Sequence, residues 1–125
     1  DCTGQSQCLG NGNGNDAIFD AAAETIATAG FTVIREPIEA TSRHRGYTFD
    51  TNYMNWLVGN GFVTTVGFGN AEADAAAKER IETYFPGRDV YVIEMLDSWA
   101  AGGGVHCHTN DQPAMSTINA SLAAD

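Results

Sequence analysis

Cys107 stands in a short segment whose residue types could support nucleophilic chemistry. Glycines 102–104 precede it, and His106 and His108 flank it. Consecutive glycines let the backbone approach a ligand closely, and a thiolate forms at neutral pH when a base or a positive field lies nearby. The segment makes Cys107 a candidate nucleophile at the end of a strand. On a strand His106 and Cys107 would point to opposite faces, so we expect the activating base to come from elsewhere in the fold.

Two other interpretations of this segment stay open. In the first, His106, Cys107 and His108 ligate zinc or copper. Alternate strand positions would put only the two histidines on one face, and no Cys-x-x-Cys or His-x-x-x-His pattern supports a metal. In the second, Cys107 is a buried and inert cysteine that follows a glycine turn. Elsewhere, we interpret residues 43–45 (Arg-His-Arg) as a solvated loop rather than a site.

The elements that must position Cys107 include two predicted amphipathic helices. Asn15 or Asp16 caps the first, which stops at Gly30, and residues 31–36 then form a strand that ends before a proline. Asn70 caps the second helix, which runs to about residue 84 and precedes a strand over residues 89–94. The apolar faces consist of Ile18, Phe19, Ala22, Ala23 and Ile26 in the first helix and Ala73, Ala77, Ile81, Tyr84 and Phe85 in the second.

A hairpin is predicted between the helices. Two apolar runs, residues 53–58 and 62–66, are joined through Gly59-Asn60-Gly61, and an Asn-Gly pair favours a type I′ turn. Residues 95–100 predict one short helical turn just before the glycines.

A string of one aspartate and three alanines occurs at residues 20–23 and returns 54 positions later, each time within a predicted helix. This offset suggests repeated strand-strand-helix-strand units, of which about two fit in the 125 residues. Single repeats of this kind cannot bury their apolar faces alone and normally need at least about three neighbours. Two unrelated helices in an ordinary α+β domain are the alternative.

Composition and charge exclude several classes of protein. The chain has 16 acidic and 6 basic residues, a net charge of −10 and 43% apolar residues, enough for the core of one domain. Such an acidic chain does not suit a nucleic-acid backbone or an anionic membrane, and it favours basic partners or substrates. No apolar run approaches the roughly 20 residues of a spanning helix, and the first residues lack the features of a signal peptide.

The cysteines and one sequon favour an exported protein. Cys2 and Cys8 lie six residues apart in a stretch rich in glycine and asparagine, where they could close a disulfide loop or remain free thiols. Asn119-Ala120-Ser121 is a glycosylation sequon, and the chain contains a single lysine, Lys78. We therefore expect an extracellular or secreted location.

The segment Gly-Gly-Gly-Val-His-Cys at residues 102–107, followed by Thr109 and by Gln112-Pro113, resembles the C-terminal signature of the agmatine deiminase and bacterial-type peptidylarginine deiminase family. That family belongs to the pentein, or guanidine-modifying, superfamily. Residues 53–61 resemble its Tyr-x-Asn strand and hairpin, and residues 67–92 resemble its last helix and strand. The resemblance covers roughly residues 46–114, and the Gly-Gly-Gly-x-His-Cys end is its specific part.

The resemblance implies an α/β fold, a pentein-type propeller of five ββαβ units, of which this chain would hold about two. Residues 1–125 would then be the C-terminal portion of one catalytic domain, with repeat-like units at about 1–46 and 47–114 and a tail at 115–125. Residues 1–4 (Asp-Cys-Thr-Gly) resemble the residues that follow the central His-x-Asp motif in the peptidylarginine deiminase branch. The motif's histidine and another aspartate would therefore come from a companion N-terminal chain or from a missing N-terminal part.

The resemblance also implies a hydrolase that converts a guanidinium group to a ureido group and releases ammonia. Cys107 would be the nucleophile and Asp1 a guanidinium-binding carboxylate, while Asn55, Gly103 and Gly104 would line the substrate site, with no metal and no cofactor. Peptidyl-arginine is the favoured substrate because of the residue 1–4 match and the signs of export. An agmatine deiminase, which would be cytoplasmic, is one alternative. A non-catalytic pentein-like binding module is another.

Overall fold

The structure is a computed structural model that describes residues 15–38 and 40–112. These residues form a mixed α/β arrangement, which confirms the predicted α/β class. The helices are α1 (Asn15–Thr28), α2 (Ala71–Tyr84) and α3 (Leu96–Ala100), the strands are β1 (Thr41–His44), β2 (Tyr47–Asp50), β3 (Leu57–Gly59), β4 (Phe62–Gly67) and β5 (Asp89–Glu94), and a 3₁₀ turn (His106–His108) follows them. The predictions for Asp1, for the Cys2–Cys8 pair, for Pro113 and for the Asn119 sequon lie outside the described residues.

One ββαβ unit forms the larger sheet. Strands β3 and β4 make an antiparallel hairpin in which Val58 lies opposite Val63. Helix α2 then crosses over, and β5 returns parallel to β4 with Val90 opposite Val63, so the strand order is β3-β4-β5. A parallel pair needs such a crossover connection, and the helix between the two strands supplies it. The predicted bounds of α2 and β5 are confirmed.

Helix α2 begins and packs as its sequence predicts. The Asn70 side chain accepts a hydrogen bond of 3.1 Å from the Ala73 backbone N–H, and this satisfies a donor that the first turn leaves free. The predicted face packs on the strands, because Ala77 and Ile81 are fully buried and belong to the same hydrophobic core as Val63 and Val66 of β4. The helix therefore closes the hydrophobic core that lies behind the candidate site.

An aromatic cluster and a carboxylate join this core to the residues around Cys107. The ring of Phe68 packs edge to face on the rings of Tyr53 and Trp99, with a distance of 5.1 Å between ring centroids in each pair. Asp74 accepts hydrogen bonds from the Tyr53 hydroxyl, at 2.8 Å, and from the Phe68 backbone N–H, at 3.0 Å. The chain on both sides of β3 and β4 is thereby held against the first turn of α2.

The hairpin β1–β2 is fixed to α3 by charged groups. His44 Nε2 lies 2.5 Å and Arg45 Nε 2.7 Å from the same oxygen, Oδ1 of Asp97. These two hydrogen bonds lower the pKa of Asp97, and the one with His44 makes the larger contribution. Residues 43–45 are therefore not the loop that we predicted, since β1 ends at His44 and Arg45 lies in the turn.

The predicted type I′ turn at Asn60-Gly61 is wrong, and such a turn occurs in the other hairpin. Arg45 (φ 49°) and Gly46 (φ 86°) both have positive φ, as a type I′ turn requires. Gly61 has φ 84°, but Arg45 is the one non-glycine residue with positive φ among the described residues. Tertiary contacts act on the Asn60-Gly61 turn, because the Asp89 backbone N–H donates to the Gly61 carbonyl at 2.9 Å.

The strand predicted over residues 31–36 is also wrong, because this segment has no regular structure. Strand propensity acts only where a neighbouring strand offers a ladder, and both sheets of the described residues form without this segment. The helix α1 was predicted correctly, with positive φ at Gly30, but its predicted apolar face is largely exposed, Ile18 to 64%. Phe19 and Ile26 border an open cavity of about 560 Å³ that Ile38 and Phe49 also line.

A buried carboxylate attaches this segment to α2. Glu36 is only 4% exposed, and its Oε1 accepts hydrogen bonds from Arg80 Nε at 2.9 Å and from Arg80 Nη2 at 2.8 Å. The Tyr84 hydroxyl donates to the other oxygen, Oε2, at 2.7 Å. A buried charge needs such partners, because an unpaired carboxylate in the interior is costly.

Ionisation of Tyr84 provides a test of this cluster. Burial, followed by the hydrogen bond to Glu36 and its negative charge, raises the pKa of Tyr84 from 10.0 to about 12. Between pH 10 and pH 12 the folded state keeps a proton that the unfolded chain has lost, so stability falls as the pH rises through this window. The free energy of unfolding is measured from urea curves across this pH range. We expect its decrease to be smaller in Tyr84→Phe and unchanged in the control Tyr91→Phe, which alters an exposed tyrosine. Equal curves for all three proteins would contradict the hydrogen bond to Glu36.

No helix within residues 15–38 and 40–112 combines the length and apolar character needed to cross a membrane.

Candidate active site

The side chain of Asn55 connects Cys107 to the neighbouring backbone. Asn55 precedes β3, and Cys107 lies in the 3₁₀ turn that follows α3, 52 residues later. The His106 backbone N–H donates to Asn55 Oδ1 at 2.8 Å, and Asn55 Nδ2 donates to the Sγ of Cys107 at 3.1 Å. A backbone N–H can only donate, so this contact fixes the orientation of the amide with its nitrogen toward the sulfur.

From the glycines we predicted that Cys107 lies at the end of a strand, and this prediction is wrong. The carbonyls of Val105 and His106 accept from the backbone N–H groups of His108 and Thr109, at 3.2 and 3.1 Å, and these bonds form a 3₁₀ turn. Before this turn the chain reverses at Gly102, which has φ 100°. The N–H of Gly102 donates to the carbonyl of Trp99, in the last turn of α3, at 2.9 Å. His106 and Cys107 therefore do not lie on opposite faces of a strand, as we had predicted.

Cys107 is exposed, so the interpretation as a buried cysteine is wrong. Its pKa lies below the ordinary value for a thiol. The hydrogen bond from the Asn55 amide lowers this pKa most, followed by the backbone N–H of Gly104. Desolvation opposes them, and the backbone N–H of Cys107 itself makes the smallest contribution. Donors directed at a sulfur favour the thiolate, which is the nucleophilic form of cysteine.

Gly104 and Gly103 allow the chain to pass close to these groups. A Cβ on Gly104, which is buried, would lie 2.7 Å from Asn55 Oδ1 and 2.7 Å from Val66 Cγ2. A Cβ on Gly103 would lie 3.3 Å from the Cβ of Cys107. Only hydrogen fits at the first position, so the glycine is required there for packing rather than for its backbone angles.

The cleft in front of the sulfur has a volume of about 260 Å³. Its lining residues are Asn55, Trp99, Gly102, Gly103, Gly104 and Cys107. The structure thus brings together four of the five predicted site residues, and the fifth, Asp1, lies outside the described residues. Among the described residues that line the cleft there is neither a carboxylate nor an imidazole. A base or acid for chemistry at Cys107 must therefore come from other residues, and the roles of the five stay predictions.

The sequence interpretation missed Trp99 and Ser98. Trp99 lines the cleft, and Ser98 hydrogen-bonds to the glycine segment from the side of α3. The signal for Trp99 was its place in the helical turn just before the glycines. As for metals, no group of three or more His, Cys, Asp or Glu side chains in the described part of the chain could hold an ion.

Comparison with known proteins identifies the family. The model of the Porphyromonas-type peptidyl-arginine deiminase family matches residues 15–113, which is most of the chain. The chain belongs to this family. The match extends the resemblance inferred from residues 46–114 and confirms it. It includes four of the predicted site residues but not Asp1.

The relatives of this family member include several agmatine deiminases. The agmatine deiminase of Stutzerimonas stutzeri is 33% identical over 63 residues, which are 50% of this chain and 17% of that protein. A protein named "Putative agmatine deiminase" in Streptococcus mutans is 33% identical over 72 residues, which are 58% of this chain and 19% of that protein. Another protein of that name, in Streptomyces coelicolor, is 38% identical over 64 residues, which are 51% of this chain and 19% of that protein. The chain thus spans about a fifth of the length of the curated relatives that it matches. No solved structure matches the chain.

Proposed function

We propose that this chain carries the nucleophile of an enzyme that hydrolyses a guanidinium group to a ureido group and releases ammonia. The observation that carries the proposal is the Cys107 thiol, which is exposed, has a lowered pKa and is held by Asn55 at a cleft lined by glycines. Membership of the peptidyl-arginine deiminase family and the agmatine deiminase relatives support the same chemistry.

The reaction begins when the thiolate of Cys107 attacks the guanidinium carbon and forms a C–S bond. The tetrahedral adduct expels ammonia, after a proton transfer to that nitrogen, and leaves an S-alkylthiouronium on the enzyme. Water then adds to the same carbon, and the C–S bond breaks to return the thiolate and the ureido product. Asn55 keeps the sulfur in place and stabilises its negative charge before the first step and after the last.

Groups outside the described residues are expected to supply the rest of the machinery. A guanidinium is planar and always charged, so carboxylates bind its nitrogens in a bidentate manner, and we propose Asp1 as one of them. A histidine is needed to transfer protons to the leaving ammonia. The net charge of −10 favours the approach of a cationic substrate.

The complete fold that we propose is a pentein propeller of five ββαβ units. The unit β3-β4-α2-β5 supports it, because its order and pairing are those of one such unit. The relatives are several times longer than the matched stretch, which supports further units from a longer polypeptide or from a companion chain. Cys107 follows the described unit, so its cleft would open toward the residues that complete the site.

Peptidyl-arginine is our preferred substrate, in an extracellular or secreted protein. The family description supports it, and the Cys2–Cys8 pair and the Asn119 sequon are typical of exported proteins. Agmatine is the alternative, which the names of the relatives favour. A binding module without catalysis is the candidate from another class, with Cys107 as a structural residue.

A comparison of two substrates tests the proposal. The intact natural protein is assayed with benzoyl-arginine amide and with agmatine, and both ammonia and the ureido product are measured. We expect kcat/KM for benzoyl-arginine amide to be roughly tenfold or more above that for agmatine, because contacts to the peptide groups add to the binding of the transition state. The opposite ratio would favour the agmatine deiminase, and no turnover of either compound would favour the binding module.

A further inference from the structure

The peptide group between Gly103 and Gly104 has partners on both of its sides. Its carbonyl oxygen, which belongs to Gly103, accepts a hydrogen bond of 2.7 Å from the Ser98 hydroxyl. Its N–H belongs to Gly104, and this N–H lowers the pKa of the Cys107 thiol. A peptide group is planar, so a hydrogen bond that fixes the direction of its C=O also fixes the direction of its N–H.

Ser98 is itself oriented by His108. The Oγ of Ser98 lies 2.5 Å from His108 Nε2. A hydroxyl has one proton, and the Gly103 carbonyl can only accept, so both contacts are hydrogen bonds only when Ser98 donates to the carbonyl and His108 Nε2–H donates to Ser98. The proton on Nε2 is assigned by this argument. His108 thus completes a row of donors from the imidazole through the hydroxyl to the peptide group.

We propose that Ser98, oriented by His108, is a positioning residue that holds the Gly103–Gly104 peptide against Asn55 and the turn that contains Cys107. Neither side chain lines the cleft, and both act through the Gly103–Gly104 peptide. Hydrogen bonds in such a row polarise one another, so a donor at the Gly103 carbonyl also makes the Gly104 N–H a stronger donor. The inference rests on the proposed function for its effect on turnover, but its effect on the thiol does not depend on a substrate.

The geometry allows little freedom for this peptide. A Cβ on Gly103 would lie 3.0 Å from His108 Nε2, so the imidazole packs directly on the peptide that it helps to hold. The N–H of Gly103 also donates to the Ser98 carbonyl at 3.0 Å. Ser98 therefore holds the glycine segment with its backbone as well as with its side chain, and replacement of the hydroxyl alone leaves the backbone bond in place.

The test measures Cys107 directly. Alkylation of the intact natural protein by iodoacetamide is followed at Cys107 by peptide mass spectrometry across a range of pH. We expect Ser98→Ala to move the midpoint of the reaction upward by roughly half to one pH unit, because the glycine segment beside the thiol loses the hydrogen bond from the Ser98 hydroxyl. For the preferred guanidine substrate we expect kcat to fall by roughly threefold to tenfold with KM unchanged.

Matched variants separate positioning from folding. Ser98→Thr keeps the hydroxyl and should have the midpoint of the unsubstituted protein. His108→Gln keeps a donor to Ser98 and should also keep that midpoint, whereas His108→Leu removes the donor and should raise it. The control Ser42→Ala removes a serine hydrogen bond to a backbone carbonyl, that of Phe68 at 3.2 Å. Neither residue lines the cleft, so this variant should leave the midpoint unchanged.

Two results would overturn the inference. A Ser98→Ala midpoint equal to that of the Ser42→Ala control would show that Ser98 does not act on the thiol. A midpoint that shifts in Ser98→Ala but not in His108→Leu would overturn the part assigned to His108. If the unsubstituted protein turns over neither substrate, the proposed function fails, while the alkylation midpoints still decide this inference.

Discussion

Replacement of Cys107 by alanine will lower kcat for guanidine hydrolysis by about 10⁴-fold or more and leave KM nearly unchanged. Without the sulfur there is no atom to form the covalent intermediate, and the described residues of the cleft offer no other nucleophile. The variant should fold normally, because Cys107 is exposed and its side chain contributes little packing. Substrate binding should persist, since the carboxylates that we propose for the guanidinium are unaffected.

The measurement combines turnover with a covalent readout. The intact natural protein is mixed with substrate and quenched with acid, and the mass of an S-alkylthiouronium adduct is sought on the peptide that contains Cys107. Cys107→Ser should also be inactive, because a hydroxyl is far less ionised than a thiol at neutral pH. The control is Thr83→Ala, which removes an exposed hydroxyl on α2 and should keep kcat. Retention of activity in Cys107→Ala would show that the nucleophile is another residue.

Gly104→Ala is expected to have the second largest effect, although it adds a single methyl group. The new Cβ would meet Asn55 Oδ1 and Val66 Cγ2, each at 2.7 Å. Val66 is fully buried in β4 and cannot move away easily, while Asn55 is bonded to both the His106 backbone and Cys107. The glycine segment or Asn55 must therefore shift, and in either case the thiol loses a donor.

We expect Gly104→Ala to reduce the free energy of unfolding by about 1–3 kcal/mol, as overpacking usually does. The misplaced thiol should lower kcat by about 100-fold. Gly87→Ala is the matched control, because Gly87 has φ 80° and nothing lies within 4 Å of its added Cβ. That variant should lose about 1 kcal/mol of stability through backbone strain alone and keep kcat. Urea unfolding and turnover would separate the two effects, and a Gly104→Ala enzyme with normal kcat would contradict the packing that we describe around Asn55.

Local signals explain which parts of the fold were predictable. Asn70 caps α2, and Pro86-Gly87 prevents the helix from continuing beyond its C-cap Phe85, so both helix bounds can be inferred from a few neighbouring residues. The strand predicted over residues 31–36 failed for a different reason, since strand propensity needs a paired neighbour and this segment pairs with none of the strands among the described residues. The Arg45-Gly46 turn carries no Asn-Gly signal, and its positive φ angles are set by the pairing of β1 with β2.

The candidate site was predictable in its members but not in its geometry. Resemblance to the family indicated Cys107 and Asn55, although nothing in their spacing of 52 residues shows that they touch. The 3₁₀ turn at Cys107 depends on the reversal at Gly102 and on contacts from α3, which are tertiary and leave no periodic pattern. Trp99 and Ser98 were missed for the same reason, since their roles follow from where α3 lies.

The hydrogen bond between Asn55 and Cys107 joins the two ends of the ββαβ unit, because Asn55 precedes β3 and Cys107 follows β5 and α3. The reactive form of the sulfur therefore depends on cooperative folding of everything between them. Any partial opening that separates β5 from β4 would also withdraw the amide from the thiol, and the thiol pKa would rise toward that of a free cysteine. Loss of chemical competence should thus precede global unfolding, so that an enzyme molecule with a loosened unit carries no reactive thiolate.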